Sequence, residues 1–191
     1  MAIYVKNSKL RHSILLVAAF FSTVSVIHAD TQFEVKGNII KGSCAVSASS
    51  MTVEFPMAIQ TNSVKSELDD KTHVQPFELK YTCDSFDLSG NAGAPYNMVI
   101  SLGTGTSVTQ NNKIYPTNNV TNGAFVLYHC DESKQNCQIV DINSGGLVPF
   151  TVKANGESLR NFEVAVVKLD AANSLVPGPL LSAVDIVLEQ P

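Results

Sequence analysis

Apolar residues in this chain recur at every second position and rarely at the three-to-four spacing of a helix face. Phe77, Leu79, Tyr81 and Cys83 alternate with polar residues, and so do Phe33, Val35 and Ile39, with Gly37 in the fourth place of that series. Side chains two apart share one face of an extended strand, so this period predicts strands with one buried side. Residues 98–102, 124–128, 147–152 and 162–167 are further short apolar runs, separated by clusters of Gly, Asn, Pro and Ser. Short strands punctuated by turns predict an all-β sandwich. The stretches 84–95 and 103–122 are polar and rich in Gly, Thr and Asn, and are expected as loops. No repeat and no linker composition divides the chain, which predicts one domain after a short N-terminal arm.

The last apolar series is the most demanding. After Pro177, Gly178 and Pro179, one face of an alternating strand carries Leu180, Ser182, Val184, Ile186 and Leu188. The other carries Leu181, Ala183, Asp185, Val187 and Glu189. A sandwich normally follows such a strand with one more to cover it, and here none follows. An apolar strand left at a sheet edge is something proteins usually protect, so an outside partner is expected.

The N-terminus reads as a secretory leader. Residues 1–12 carry Lys6, Lys9 and Arg11 and no acid, residues 14–26 are apolar, and Ile27, His28 and Ala29 offer a cleavage site. The apolar run is shorter than the roughly 18–20 residues of a spanning helix. Cleavage after Ala29 is expected, giving a signal peptide over 1–29, and no later stretch is expected to enter a membrane. Three of the 13 bases fall in this leader and all 17 acids follow it, so the exported chain is more acidic than the formal charge of −4 for the whole. No Lys/Arg cluster is present, which argues against nucleic acid as a partner.

All four cysteines, Cys44, Cys83, Cys130 and Cys137, follow the leader. In an exported chain an even count reads as disulfides. Three pairings are possible and the sequence alone does not choose; we favour Cys44–Cys83 with Cys130–Cys137, whose polar spacer suits a small hairpin-like loop. Zinc is disfavoured, because no C-x-x-C occurs and only His73 and His129 accompany the cysteines. No catalytic constellation is expected. His73 follows Asp69, Asp70 and Lys71 and reads as a solvated loop residue, His129 reads as a neighbour of a disulfide, and the Gly103 region lacks a P-loop lysine. No cofactor is expected either.

Four features taken together resemble the pilin subunits of the chaperone–usher pathway of Gram-negative bacteria. The arm of Phe33, Val35, Gly37 and Ile39 lies just ahead of Cys44, and the series Phe77, Leu79, Tyr81 closes on Cys83. Gly178 is the fourteenth residue from the C-terminus, and the alternating strand 180–188 follows it. Two departures are visible. Gln190 stands where the family usually has a penultimate tyrosine, and Cys130 and Cys137 are not part of the common pattern.

The resemblance implies an incomplete immunoglobulin-like β-sandwich, completed by a donor strand from another subunit. It divides the chain into the signal peptide 1–29, a donor-strand extension 30–43 and a pilin domain 44–191. Phe33, Val35, Gly37 and Ile39 would enter a neighbour's groove. The chain's own acceptor groove would be marked by Gly178, Leu180, Val184, Ile186 and Leu188. Implied partners are neighbouring pilus subunits, a periplasmic chaperone and an outer-membrane usher, with export through the periplasm to a fimbrium on the cell surface. The function implied is that of a structural, minor or adaptor subunit supporting adhesion. A fimbrial tip adhesin binding host glycans is the second reading, since residues 109–122 offer Asn and Thr hydrogen-bonding groups. Trp is absent, however, and a terminal adhesin needs no donor arm.

Overall fold

The computed structural model describes residues 42–47, 51–68, 71–89 and 93–191. The leader 1–29 and the arm residues Phe33, Val35, Gly37 and Ile39 lie outside the described residues. Among the described residues, regular structure comprises ten strands and one 3-10 turn at Ile142–Ser144. β2 (Val74–Asp84) and β9 (Gly156–Lys168) are the long central pair, in register from Val74 opposite Ala165 to Cys83 opposite Gly156. β1 (Ser43–Val46) adds to the other edge of β2, and β6 (Gly123–Cys130) adds to the other edge of β9. The far edge of β6 takes β5 (Ile114–Pro116), which pairs in turn with β4 (Thr106–Val108). The same edge also takes β7 (Cys137–Ile139), completing a seven-stranded sheet. The second sheet has three strands in the order β10 (Val184–Glu189), β3 (Ala94–Leu102), β8 (Leu147–Val152). Every pairing is antiparallel.

The alternation in the sequence becomes the core. Leu79, Tyr81 and Cys83 of β2 meet Tyr96, Met98 and Ile100 of β3 and Val148, Phe150 and Val152 of β8 between the sheets, and Phe162 of β9 is 1% exposed in the same layer. Tyr81 meets Phe150 edge-on at 5.1 Å, and Tyr96 lies 5.7 Å from the same ring. Such contacts add to what burial of the rings alone contributes.

β6 does not alternate, because both of its faces are buried. Leu127 points into the main core, while Ala124, Val126 and Tyr128 form a second cluster with Ala165 and Val167 of β9. Leu68 and Val74 pack on that outer cluster. The Tyr128 hydroxyl donates to the Leu68 carbonyl, and Lys168 N donates to the Lys65 carbonyl at 2.8 Å. A strand covered on both faces reads as a continuous apolar run. His73 belongs to this cover. Instead of standing in solvent it is half-buried, its Nε2 is 2.7 Å from Ser63 Oγ, and its carbonyl accepts from Val166 N.

Two further expectations are corrected. The loop expected over 103–122 contains the β4–β5 hairpin, whose three-residue strands are too short and too polar to show a period. The last strand begins at Val184, not at Leu180. Its partner β3 stops at Leu102, and Gly103 N closes the ladder by donating to the Ala183 carbonyl at 3.0 Å. A Cβ on Gly103 would lie 2.8 Å from that of Ala183, so the crossing requires glycine.

Both disulfides join directly opposed residues: Cys44–Cys83 across β1 and β2, and Cys130–Cys137 across β6 and β7.

Candidate functional site: an uncovered strand and its cleft

β10 is hydrogen-bonded to β3 from Val184 opposite Leu102 to Glu189 opposite Asn97. Its other edge carries no strand among the described residues. The inward residues Val184, Ile186 and Leu188 pack against the main core yet stay only half-buried, while Asp185, Val187 and Glu189 face solvent. Val187 is 57% exposed. A strand whose apolar face is half covered and whose edge is open lacks one neighbour on that side.

The opposite flank is formed by residues 42–47 and 51–59. At one end β1 sits near the close of β10, and Gln190 Nε2 donates to the Gly42 carbonyl at 3.4 Å. Cys44 N donates to the Tyr96 hydroxyl at 3.2 Å, which holds β1 onto the core. Farther along, Val53, Phe55 and Ile59 are half-buried between exposed neighbours, and Phe55 stacks on Phe125 at 6.3 Å. Residues 51–59 are assigned to neither sheet. Met51, Val53 and Phe55 alternate with Thr52 and Glu54 as in a strand, yet no strand ladder includes them among the described residues.

Between residues 52–61 and 175–182 opens a cleft of about 700 Å³, lined by Phe55, Val64, Phe125, Val166, Leu180 and Ser182. Leu180 lies over Gly123, where a Cβ would stand 2.9 Å from its side chain. Gly178 passes Thr121 closely, and Val176 N is anchored on the Thr121 carbonyl at 2.9 Å. Ser182 Oγ is buried and has no hydrogen-bond partner among the described residues. Buried hydroxyls are normally partnered, so this position marks a place where a polar neighbour belongs.

Of the residues singled out from the sequence, Leu180, Val184, Ile186 and Leu188 share one inward series, and Gly178 leads into it. Phe33, Val35, Gly37 and Ile39 cannot be placed, since they lie outside the described residues. Phe55, Phe125 and Ser182 were not singled out as site residues. Cys130, Cys137 and Glu163 come close together, but both sulfurs are spent in a disulfide and neither is a thiolate ligand. Ser63 and His73 are in contact, yet the hydroxyl already donates to the Gln60 carbonyl at 2.7 Å, so it presents no proton to the imidazole. The chemistry on offer is strand pairing and apolar burial.

A two-sheet immunoglobulin-like sandwich with one edge of β10 unpaired among the described residues defines the class: an incomplete β-sandwich. The chain belongs to the fimbrial protein family, whose family model matches residues 33–189. Among solved structures, a subunit from a chaperone–usher pilus, described in connection with uncoiling of the rod, is similar at 13% identity and a TM-score of 0.53. The match covers 87% of this chain and 99% of that one. The P pilus rod subunit PapA is similar at 14% identity and a TM-score of 0.50, over 78% of this chain and 98% of that one. At these identities the likeness is one of fold. No curated protein sequence matches the chain.

Proposed function

We propose that this chain is a structural subunit of a chaperone–usher fimbria, internal or adaptor in position, whose sandwich is completed by a strand supplied from a neighbouring subunit. The single observation that carries the reading is β10, an edge strand with Val184, Ile186 and Leu188 half-buried and no strand on its other edge among the described residues. The second flank, 51–59, supports it, because it too is patterned as a strand without a ladder. A strand added between the two would gain main-chain hydrogen bonds from β10, and alternate side chains would set its register. Pilus donor-strand complementation is a named instance of this recognition mode.

Within this reading, the extension expected over 30–43 lends its residues 30–41, because Gly42 and Ser43 belong to the approach and first strand of the body itself. Phe33, Val35 and Ile39 would each contribute about 1.5–3 kcal/mol on burial in a neighbour's groove. Gly37 fits a position where another backbone or a bulky side chain comes close. A periplasmic chaperone would occupy the groove during export, and an outer-membrane usher would pass the subunit to the fibre on the cell surface, where it supports adhesion.

The experiment is deletion of residues 30–41 in cells carrying the rest of the assembly system. The shortened chain should still be recovered with its chaperone and should be absent from surface fibres. Recovery of normal fibres built from the shortened chain would refute the donor role.

A further inference from the structure

The three-stranded sheet has two edges, and the backbone presents them differently. Like β10, β8 has no strand on its outer edge among the described residues. Ile100 N donates to the Gly146 carbonyl at 3.0 Å. By the alternation of an antiparallel ladder, residues 148, 150 and 152 therefore turn their backbone groups to β3, and Leu147, Pro149 and Thr151 turn theirs outward. At the other edge Gly103 N meets the Ala183 carbonyl, which turns Val184, Ile186 and Leu188 outward from β10. Each of those residues offers an N–H and a C=O to an incoming strand. On β8 the middle outward position is Pro149, which has no N–H to offer.

The carbonyl of Pro149 is already engaged. Arg160 of β9 crosses from the other sheet, and its Nη2 donates to that carbonyl at 3.4 Å. The guanidinium carbon lies 5.0 Å from the centre of the Phe150 ring. Arg160 Nε is buried and has no hydrogen-bond partner among the described residues. Buried donors are normally partnered, so holding this arginine between the sheets is costly, and closing the Pro149 carbonyl gives a reason for it. Just past β8, Lys153 meets Glu132 at 3.2 Å, which brings the loop closed by Cys130–Cys137 to the end of the strand.

An open edge invites pairing with the same edge of a second copy. Two β8 strands meeting antiparallel about a two-fold axis at Pro149 would set Leu147 across from Thr151 and Pro149 across from itself. The central pair would then lack both donors, and Arg160 would hold both acceptors. We infer that Pro149 and Arg160 close the β8 edge to self-pairing with a second copy of this chain, and so confine strand addition to β10. The closure of β8 stands on the geometry of that edge; the confinement to β10 rests on the strand-addition reading.

The test is the association of the full exported chain over a range of concentrations, with amide hydrogen exchange locating the contact. Pro149→Val restores a donor, and Arg160→Met keeps an apolar stem while freeing the carbonyl. The double variant should pair at least about tenfold more tightly through β8 than the unaltered chain, the scale of the backbone bonds regained. Its Leu147 and Thr151 amides should slow as concentration rises, while those of the unaltered chain stay the same, and each single variant should fall between. A folded double variant whose Leu147 and Thr151 amides show no such slowing would overturn the closure. Pro149→Val changes one exposed edge residue, so if the double variant does not fold, the single variant decides in the same way. A free peptide of residues 30–41 should slow the Val184, Ile186 and Leu188 amides and leave those of β8 unchanged. Protection of Leu147 and Thr151 by that peptide in the unaltered chain would also overturn the closure. If the peptide protects neither edge while the double variant pairs through β8, the strand-addition reading is lost and the closure of β8 stands.

Discussion

Gln190 donates its side-chain amide to the carbonyl oxygen of Gly42 at 3.4 Å, so the close of β10 is tied to the residue that leads into β1. This contact joins the two flanks of the open groove at one end, while the 700 Å³ cleft lies at the other, around Leu180 and Ser182.

The backbone at that tie should be far more sensitive than the side chain. Gly42 has φ of +114°, and a Cβ there would lie 2.6 Å from the Phe86 ring. Gly42→Ala should cost about 2–4 kcal/mol from backbone strain and overpacking. Gln190→Ala removes one long, partly exposed hydrogen bond and should cost at most about 1 kcal/mol. Urea unfolding of both variants separates the two effects.

The two disulfides should differ in worth. Cys44–Cys83 closes a loop with a sequence separation of 39, and Cys130–Cys137 one of 7. By loop-closure entropy the first should contribute about 4 kcal/mol and the second about 2 kcal/mol. Paired Cys→Ser variants, compared by denaturant midpoint, check the order. A larger loss at Cys130–Cys137 would contradict the entropic account.

Much of this architecture was legible in the sequence where one side of a strand is buried and the other is wet. Leu79, Tyr81 and Cys83, or Val148, Phe150 and Val152, show a period that solvent imposes. The period fails where both faces are covered, as at Val126 and Leu127 of β6. There the cover comes from Leu68 in a polar stretch with no signal of its own. The uncovered strand is visible from Val184, Ile186 and Leu188, but the apolar alternation runs on to Leu180, four residues before the strand begins. What ends it is a tertiary contact, Gly103 N with the Ala183 carbonyl, and no local residue preference. Met51, Val53 and Phe55 keep a strand period over too few residues to stand out, and no strand pairs with them among the described residues.

Lys113 is a buried cation only 7% exposed, with Nζ donating to the Lys168 carbonyl at 2.6 Å and to that of Leu169 at 3.3 Å. Burial pushes its pKa down, opposed by the nearby carboxylates of Asp170 and Glu67. Lys113→Met leaves both carbonyls without this donor and should destabilise the chain by about 1–3 kcal/mol. Thermal unfolding of the variant measures it.

Acid should weaken the fold in two separate steps. Burial, and secondarily the Arg160 guanidinium, hold His129 below its ordinary value of 6.5, so the unfolded chain binds the extra proton first and stability falls as pH drops through that value. Asp131 is held down to about 2 by hydrogen bonds from Ser133 and Asn136, so its contribution is present above 3.8 and lost as pH falls towards 2. His129→Gln should flatten the upper step and Asp131→Asn the lower one, in a series of melting temperatures taken against pH.

The central claim is that β10 lacks a neighbour that an arm of this kind supplies. The most direct measurement is the melting temperature of the exported chain with a second copy of residues 30–41 joined after Pro191 through a flexible linker, against the unfused chain shown to be monomeric. Burial of Phe33, Val35 and Ile39 at about 1.5–3 kcal/mol each should raise it by more than about 10 °C, and changing Ile186 to Asp should remove most of the gain. A cooperative, high melting temperature for the unfused monomer, unchanged by the added strand, would mean that the sandwich is already complete and would contradict the account.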